Sequence, residues 1–165
     1  MMFAIIPNLT RKNAAQVTRL ICAKLDELGA AYSLPLSTEN VFSDTKAEFL
    51  PEKELLGGCE AVITVGGDGT IIHSAKKAAV YSKPVLGINA GRLAFMAGLE
   101  IHELDLLEKL ITGDYSMDKR MMLKTTAADG DSVQSGYSMN DSTVMRLSRL
   151  RRISSVSYTH LTLPT

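Results

Sequence analysis

AVITVGGDGT, residues 61–70, is a run of apolar β-formers that empties into glycines around a single aspartate and closes on a threonine. Val62, Ile63 and Val65 have the continuous apolarity of a strand covered on both faces, which belongs to a parallel sheet with helices above and below it. Gly66, Gly67 and Gly69 lack a Cβ, so the backbone there is free to take positive φ and a charged ligand can approach the main chain. Asp68 is expected at the tip of this turn. The residues that follow, IIHSAKKAAVY, have helical content. Their first turn would aim free N–H groups and the positive end of a dipole at the same spot, a natural seat for phosphate. Gly-Gly-Asp-Gly alone is also a common turn composition. A hairpin turn, however, needs an alternating strand on each side, whereas here a buried-type strand leads into a helix. The pattern therefore favours a carboxylate beside a phosphate cradle, and with it phosphoryl transfer.

Working outward towards the start of the chain, residues 3–6 form a short apolar strand ended by Pro7 and Asn8. Between Lys12 and Leu28 the apolar residues Ala14, Val17, Leu20, Ile21, Leu25 and Leu28 recur at three and four, which predicts a helix stopped by Gly29. Residues 32–36 read as a second strand that Pro35 pushes towards a sheet edge. Residues 37–50 show no clean period and read as a loop, and Pro51 then opens a short helix through Leu56, closed by Gly57 and Gly58. In the other direction Lys83-Pro84 resets the chain into VLGIN, another short strand, and residues 101–111 carry Leu104, Leu107 and Ile111 on a helix stopped by Gly113.

This β-α-β-α order predicts an α/β fold with a parallel, right-handed, doubly wound sheet. Ligands of such sheets collect at the carboxyl ends of the strands. Asp68 lies at one such end, and Asn89, Gly91 and Arg92 at the next, so the two loops are expected to converge on one crevice. Past residue 118 the texture changes. Residues 120–126 and 133–145 read as strands around the turn-rich ADGDS, without a helix between them, which predicts antiparallel pairing. The expected organisation is an α/β domain over residues 1–118, the start of a β-rich domain over 119–154, and a tail at 155–165. That tail, within SVSYTHLTLPT, resembles translated sequencing adapter and is given no functional weight.

With 165 residues, 45% hydrophobic and a formal net charge of +0, the chain has material for one α/β core. Its charge balance gives no global reason to expect nucleic acid or an anionic membrane as partner. Cys22 and Cys59 belong to no Cys-x-x-Cys pattern, so neither a zinc site nor a disulfide framework is expected, and reduced thiols fit a cytoplasmic protein. MMFAIIPN is too short an apolar lead for a secretory signal or a membrane span. His73 and His102 have no second ligand at metal spacing, and no metal site is expected within the chain. The cluster Arg146, Arg149, Arg151 and Arg152 reads as a solvated face.

Two stretches together resemble the NAD kinase family: VGGDGT at 65–70 and PVLGINAGRLAFM at 84–96. Diacylglycerol and sphingosine-type lipid kinases share the first, and phosphofructokinases carry a close relative. In the stretch at 84–96, the Asn-x-Gly-x-Leu-x-Phe pattern is similar to that of NAD kinases. MNDSTV at 139–144 is similar to the family's Asn-Glu or Asn-Asp motif. The resemblance implies an NAD kinase/diacylglycerol kinase-like fold and transfer of a phosphoryl group from ATP or polyphosphate to the adenosine-ribose 2′-hydroxyl of NAD, giving NADP. Magnesium or another divalent cation would accompany the donor.

By the same resemblance Asp68 is the general base, and Gly66, Gly67, Gly69 and Thr70 shape the turn beside the phosphate. Phe95 falls on the adenine side of the pocket, Asn140 and Asp141 hold ribose or diphosphate-proximal groups, and Arg92 is a candidate phosphate contact. Read from the residues alone, Phe95 is core and Asn140-Asp141 a turn. Ala94 stands where the family usually has glycine, and Asp141 is the shorter of the family's two acids. Nothing after Met145 supplies the family's Gly-Ser-Thr-Ala-Tyr-like segment, so the chain resembles the amino-terminal part of an enzyme that is a homo-oligomer at full length. The alternatives are a lipid kinase of the diacylglycerol kinase type and an inactive nucleotide-binding fragment.

Overall fold

A computed structural model describes residues 1–91, 94–129 and 132–139. Five parallel strands form the main sheet: β1 (Met2–Pro7), β2 (Ala31–Pro35), β3 (Glu48–Leu50), β4 (Ala61–Gly66) and β5 (Val85–Asn89). Their order is β3-β2-β1-β4-β5. The chain winds outward from β1 to β3, then crosses back to start again on the other side of β1. The switch in direction therefore falls between β1 and β4, and ligands of such sheets collect at the carboxyl ends of the strands at that point.

Helices α1 (Ala14–Glu27), α2 (Glu39–Phe42), α3 (Glu52–Gly58), α4 (Asp68–Val80) and α5 (Leu107–Thr112) cover the sheet. Strand alternation sorts the core into two layers. Phe3, Ile5, Ile63 and Val65 pack with Val17, Ile21 and Leu25 of α1 and Leu107 of α5. Ala4 and Val62 point the other way, against Leu55 and Leu56 of α3 and Ala78 of α4. All six residues of β4 are buried, as a strand covered on both faces requires. Each fully buried Leu, Ile or Phe adds about 1.5–3 kcal/mol to a core of this kind.

The structure corrects the sequence reading at three places. Pro35 does not put β2 at an edge. It is the last residue of β2, paired with Leu50, so its missing N–H interrupts nothing further along the ladder, and β3 lies outside it. Residues 37–50, read as a loop, contain α2 and β3; Phe42 from α2 is fully buried. Leu20 leaves the core face of α1 and is 45% exposed, while Thr18 and Cys22 are buried in its stead. Thr18 tolerates this because its hydroxyl donates to the Ala14 carbonyl at 2.7 Å. Gly29 ends α1 in a left-handed conformation (φ 66°) and Gly113 ends α5 likewise (φ 76°).

Beyond α5, β6 (Leu123–Asp129) and β7 (Ser132–Ser138) form a separate antiparallel pair in which Leu123 faces Ser138. Residues 130, 131 and 140–154 of the segment expected to be β-rich, and the whole 155–165 tail, lie outside the described residues. Cys22 and Cys59 are both free and buried. Burial, helped by the nearby carboxylates of Asp26 and Asp44, pushes the Cys22 thiol up from 9.0 to about 12. Among the described residues no helix is long and apolar enough to cross a membrane.

Candidate active site

The buried strand β4 delivers the chain to Gly66 at the carboxyl edge of the sheet, and α4 starts almost at once. Gly67 is its N-cap, with an extended backbone (φ −103°), and Asp68 is the first helical residue, not the tip of a loop. A carboxylate in the first turn suits the positive end of the dipole. No side chain caps this helix, whose Thr70 and Ile71 N–H groups turn back to the Gly67 carbonyl at 2.9 and 3.1 Å.

The left-handed backbone expected at these glycines is not what the structure holds. Among the described residues the positive-φ glycines are Gly29 and Gly113, so none of Gly66, Gly67 and Gly69 is there for a left-handed backbone. Close approach explains Gly66. A Cβ at Gly66 would lie 2.5 Å from Thr70 Oγ1 and 2.7 Å from Thr70 Cβ. Thr70 cannot readily turn aside, because its hydroxyl accepts a hydrogen bond from Asn8 Nδ2 at 2.8 Å. Gly69, by contrast, has open space around it. Substituting Gly66→Ala is therefore expected to cost about 1–3 kcal/mol of stability through overpacking. Gly69→Ala, inside a helix and unobstructed, is expected to gain up to about 1 kcal/mol. Urea unfolding of the two variants checks the opposite signs; equal effects would contradict the steric reading.

Two loops meet at this turn. From β1, Asn8 donates to Thr70 while its own Oδ1 is held by the Thr10 hydroxyl at 2.7 Å, and its backbone N–H bonds the Val65 carbonyl at 2.9 Å. Arg11 lies beside Gly67, with Nη2 3.9 Å from where a Cβ would be. From β5, the Ala90 N–H reaches the Gly66 carbonyl at 3.2 Å. Further on, the loop after β5 grips Asp68 itself: Oδ1 accepts the Met96 N–H at 2.9 Å and Oδ2 the Phe95 N–H at 3.2 Å. The half-buried carboxylate is thus aimed by backbone amides, and each of its oxygens keeps a lone pair for a ligand.

Phe95 is 84% exposed and belongs to no core. Its ring is free to meet a ligand or another surface. Arg92, Asn140 and Asp141 lie outside the described residues. His73 and His102 are both exposed. Among the described residues no trio of His, Cys, Asp or Glu is grouped as a metal cage. A cleft of about 560 Å³ runs along the outer edge of β5, sharing Phe95 and Met96 with the site but lined by none of residues 66–70. The reading from sequence did not single out Asn8, Arg11 or Glu100 for this site. A Pro-Asn pair ending a strand was the visible sign of the first; the others show themselves only through contacts across the fold.

The family model described as ATP-NAD kinase N-terminal domain matches residues 4–115. Among curated relatives, a protein of Chlorobium phaeovibrioides named NAD kinase is 34% identical over 143 residues, which is 86% of this chain and 49% of that one. One from Symbiobacterium thermophilum, also named NAD kinase, is 31% identical over 92% of this chain and 54% of its own length. The chain thus spans about half the length of these relatives. Among solved structures, yeast NADH kinase complexed with NADH superposes with a TM-score of 0.73 at 19% identity, covering 85% of this chain and 47% of that one, which shows the fold.

Proposed function

We propose, from the premise that this chain belongs to the NAD kinase family, that the whole protein transfers a phosphoryl group from ATP or polyphosphate to the adenosine-ribose 2′-hydroxyl of NAD, giving NADP. The observation that carries this reading is the Asp68 carboxylate, held by two backbone amides beside the uncapped start of α4. Asp68 accepts the proton of the 2′-hydroxyl as that oxygen attacks the terminal phosphorus of the donor. The new P–O bond forms as the bond from that phosphorus to its bridging oxygen breaks, and ADP or a shortened polyphosphate leaves with the electron pair. General-base help of this kind is worth about 10²–10⁴-fold, and most of the remainder is positioning and charge neutralisation.

The Asp68 and Gly69 amides at the start of α4, and the shape given by Gly66, Gly67, Gly69 and Thr70, would receive the transferring phosphoryl group. Arg92, like Arg11, is a candidate contact for its charge. Phe95 would meet the adenine, and Asn140 and Asp141 the ribose or diphosphate side. A divalent cation, magnesium in our reading, would neutralise charge on the donor. Magnesium keeps much of its water and takes one or two carboxylates with substrate oxygens, so a cation carried on the donor phosphates needs no protein cage.

We place the protein in the cytoplasm, a reading that the two unpaired thiols support. We also take it to be a homo-oligomer, with the exposed Leu123, Val133 and Tyr137 of the β6–β7 pair as candidate contact residues. The test is NADP formation by the whole protein, followed with an NADP-specific dehydrogenase, with ATP and with polyphosphate as donors. NADP from either supports the reading. Phosphorylation of diacylglycerol with none of NAD would replace it with the lipid kinase alternative.

A further inference from the structure

The loop that grips Asp68 has to be held by something, and a buried asparagine paired with a half-buried glutamate does so. Asn89, the last residue of β5, is 1% exposed and every polar group of its side chain is engaged. Nδ2 donates to both carboxylate oxygens of Glu100, at 3.0 and 3.1 Å, and Oδ1 accepts the Gly91 N–H at 2.8 Å. Its backbone N–H also bonds the Leu99 carbonyl at 3.0 Å. Glu100 is fixed in turn by a reciprocal cap with Glu103, whose carboxylate accepts the Glu100 N–H at 2.8 Å.

Between these two anchors the chain runs back along the edge of β5. The N–H groups of Gly98 and Leu99 both reach the Gly87 carbonyl, at 2.8 and 3.2 Å. What Gly87 makes room for is α4: a Cβ there would lie 2.5 Å from Ile71 Cδ1, while Ala97 Cα, at 3.4 Å, would be at ordinary contact distance. The same run presents the Phe95 and Met96 amides to Asp68.

On the reading of Asp68 given above, we infer that Asn89 and Glu100 are positioning residues of the transfer site, fixing the two ends of the loop whose amides aim the Asp68 carboxylate. Neither touches the reacting atoms. A buried amide bonded to a carboxylate also has a definite polarity: the amide donates and the acid accepts, and a second carboxylate in place of Asn89 leaves two acceptors facing each other without a proton between them.

That polarity can be reversed. In the whole protein, Asn89→Asp sets the new carboxylate against Glu100. Adding Glu100→Gln supplies an Nε2 donor to it while Oε1 still accepts from the cap, so the hydrogen bond returns with its direction swapped. We expect Asn89→Asp to lower kcat for NADP formation by about tenfold or more with KM for NAD changed less than about threefold, a pattern of lost positioning, not lost binding. The double variant should recover most of that kcat, a coupling that independent sites would not show.

Hydrogen exchange in the whole protein gives a second readout that needs no activity. Backbone amide exchange at Phe95 and Met96 should quicken in Asn89→Asp and slow again in the double variant. If Asn89→Asp does not fold, Glu100→Gln alone carries the test, because its single acceptor must serve both Asn89 and the cap; faster exchange at the two amides is then expected. An unchanged kcat in Asn89→Asp, a double variant no better than the single one, or exchange at Phe95 and Met96 that ignores the substitutions would overturn the inference. A wild-type protein that makes no NADP would instead overturn the proposed activity, and the exchange measurement would still decide the role of the pair.

Discussion

Asp68→Asn is expected to lower kcat/KM for NADP formation by about 10²–10⁴-fold while the dissociation constant for NAD stays within a few-fold of wild type. The asparagine has the right shape but cannot take the 2′-hydroxyl proton at neutral pH. It also meets the loop differently. Its Oδ1 can replace the acceptor at Met96, where the bond is 2.9 Å, but its NH₂ then confronts the Phe95 N–H, now 3.2 Å from Oδ2, donor against donor. Asp68→Ala removes this conflict together with the base. Asp68→Ala also leaves the Phe95 and Met96 amides without an acceptor, so amide exchange there is read beside turnover: losses that do not follow the exchange rates belong to the missing base, and losses that follow them belong to a displaced loop. Turnover is measured with saturating donor, and binding by calorimetry.

The largest effect on stability is expected at Phe3. It lies on β1, the middle strand of the sheet, with 1% of its surface exposed, packed in the layer shared with α1. Phe3→Ala removes a ring that the surrounding strands cannot collapse upon, which costs about 3–5 kcal/mol. For a domain with about 5–15 kcal/mol in total, that is a large share, and it should appear as a lower urea midpoint with an unchanged slope. Phe95 is the built-in control. At 84% exposure its truncation should change the midpoint by no more than about 0.5 kcal/mol equivalent. Equal losses at the two positions would contradict the assignment of Phe3 to the core and Phe95 to the surface.

What the sequence disclosed follows from how local each signal is. β4 was legible because burial on both faces leaves an unbroken apolar run, and α1 because its buried positions recur at helical spacing up to a terminal glycine. The parallel order then followed from alternating strands and helices. β3 was not legible: three residues long and only partly buried, it exists as a strand because β2 pairs with it. Pro35 misled because its effect depends on where in the strand it falls, and at the last residue it interrupts nothing further along.

In the site, the glycine-aspartate turn announced itself, but the reason for Gly66 did not. Contact between residues 66 and 70 depends on Thr70 being locked by Asn8, a partner 62 positions away in the chain. Glu100 was invisible for the same cause: an acid at the start of a helix reads as a cap, and only the fold brings Asn89 against it. Phe95 carried two opposite readings in sequence, and its exposure excludes the core one.

The most direct test of the central claim, that the Asp68 turn transfers phosphate to the ribose of NAD, is phosphorus NMR of the products formed by the whole protein from NAD and ATP. The account predicts a new phosphomonoester resonance coupled to the 2′ position of the adenosine ribose, together with ADP in equal amount, and the loss of both signals in Asp68→Ala. Donor consumption without any 2′-phosphate, or a 2′-phosphate that persists undiminished in Asp68→Ala, would contradict it.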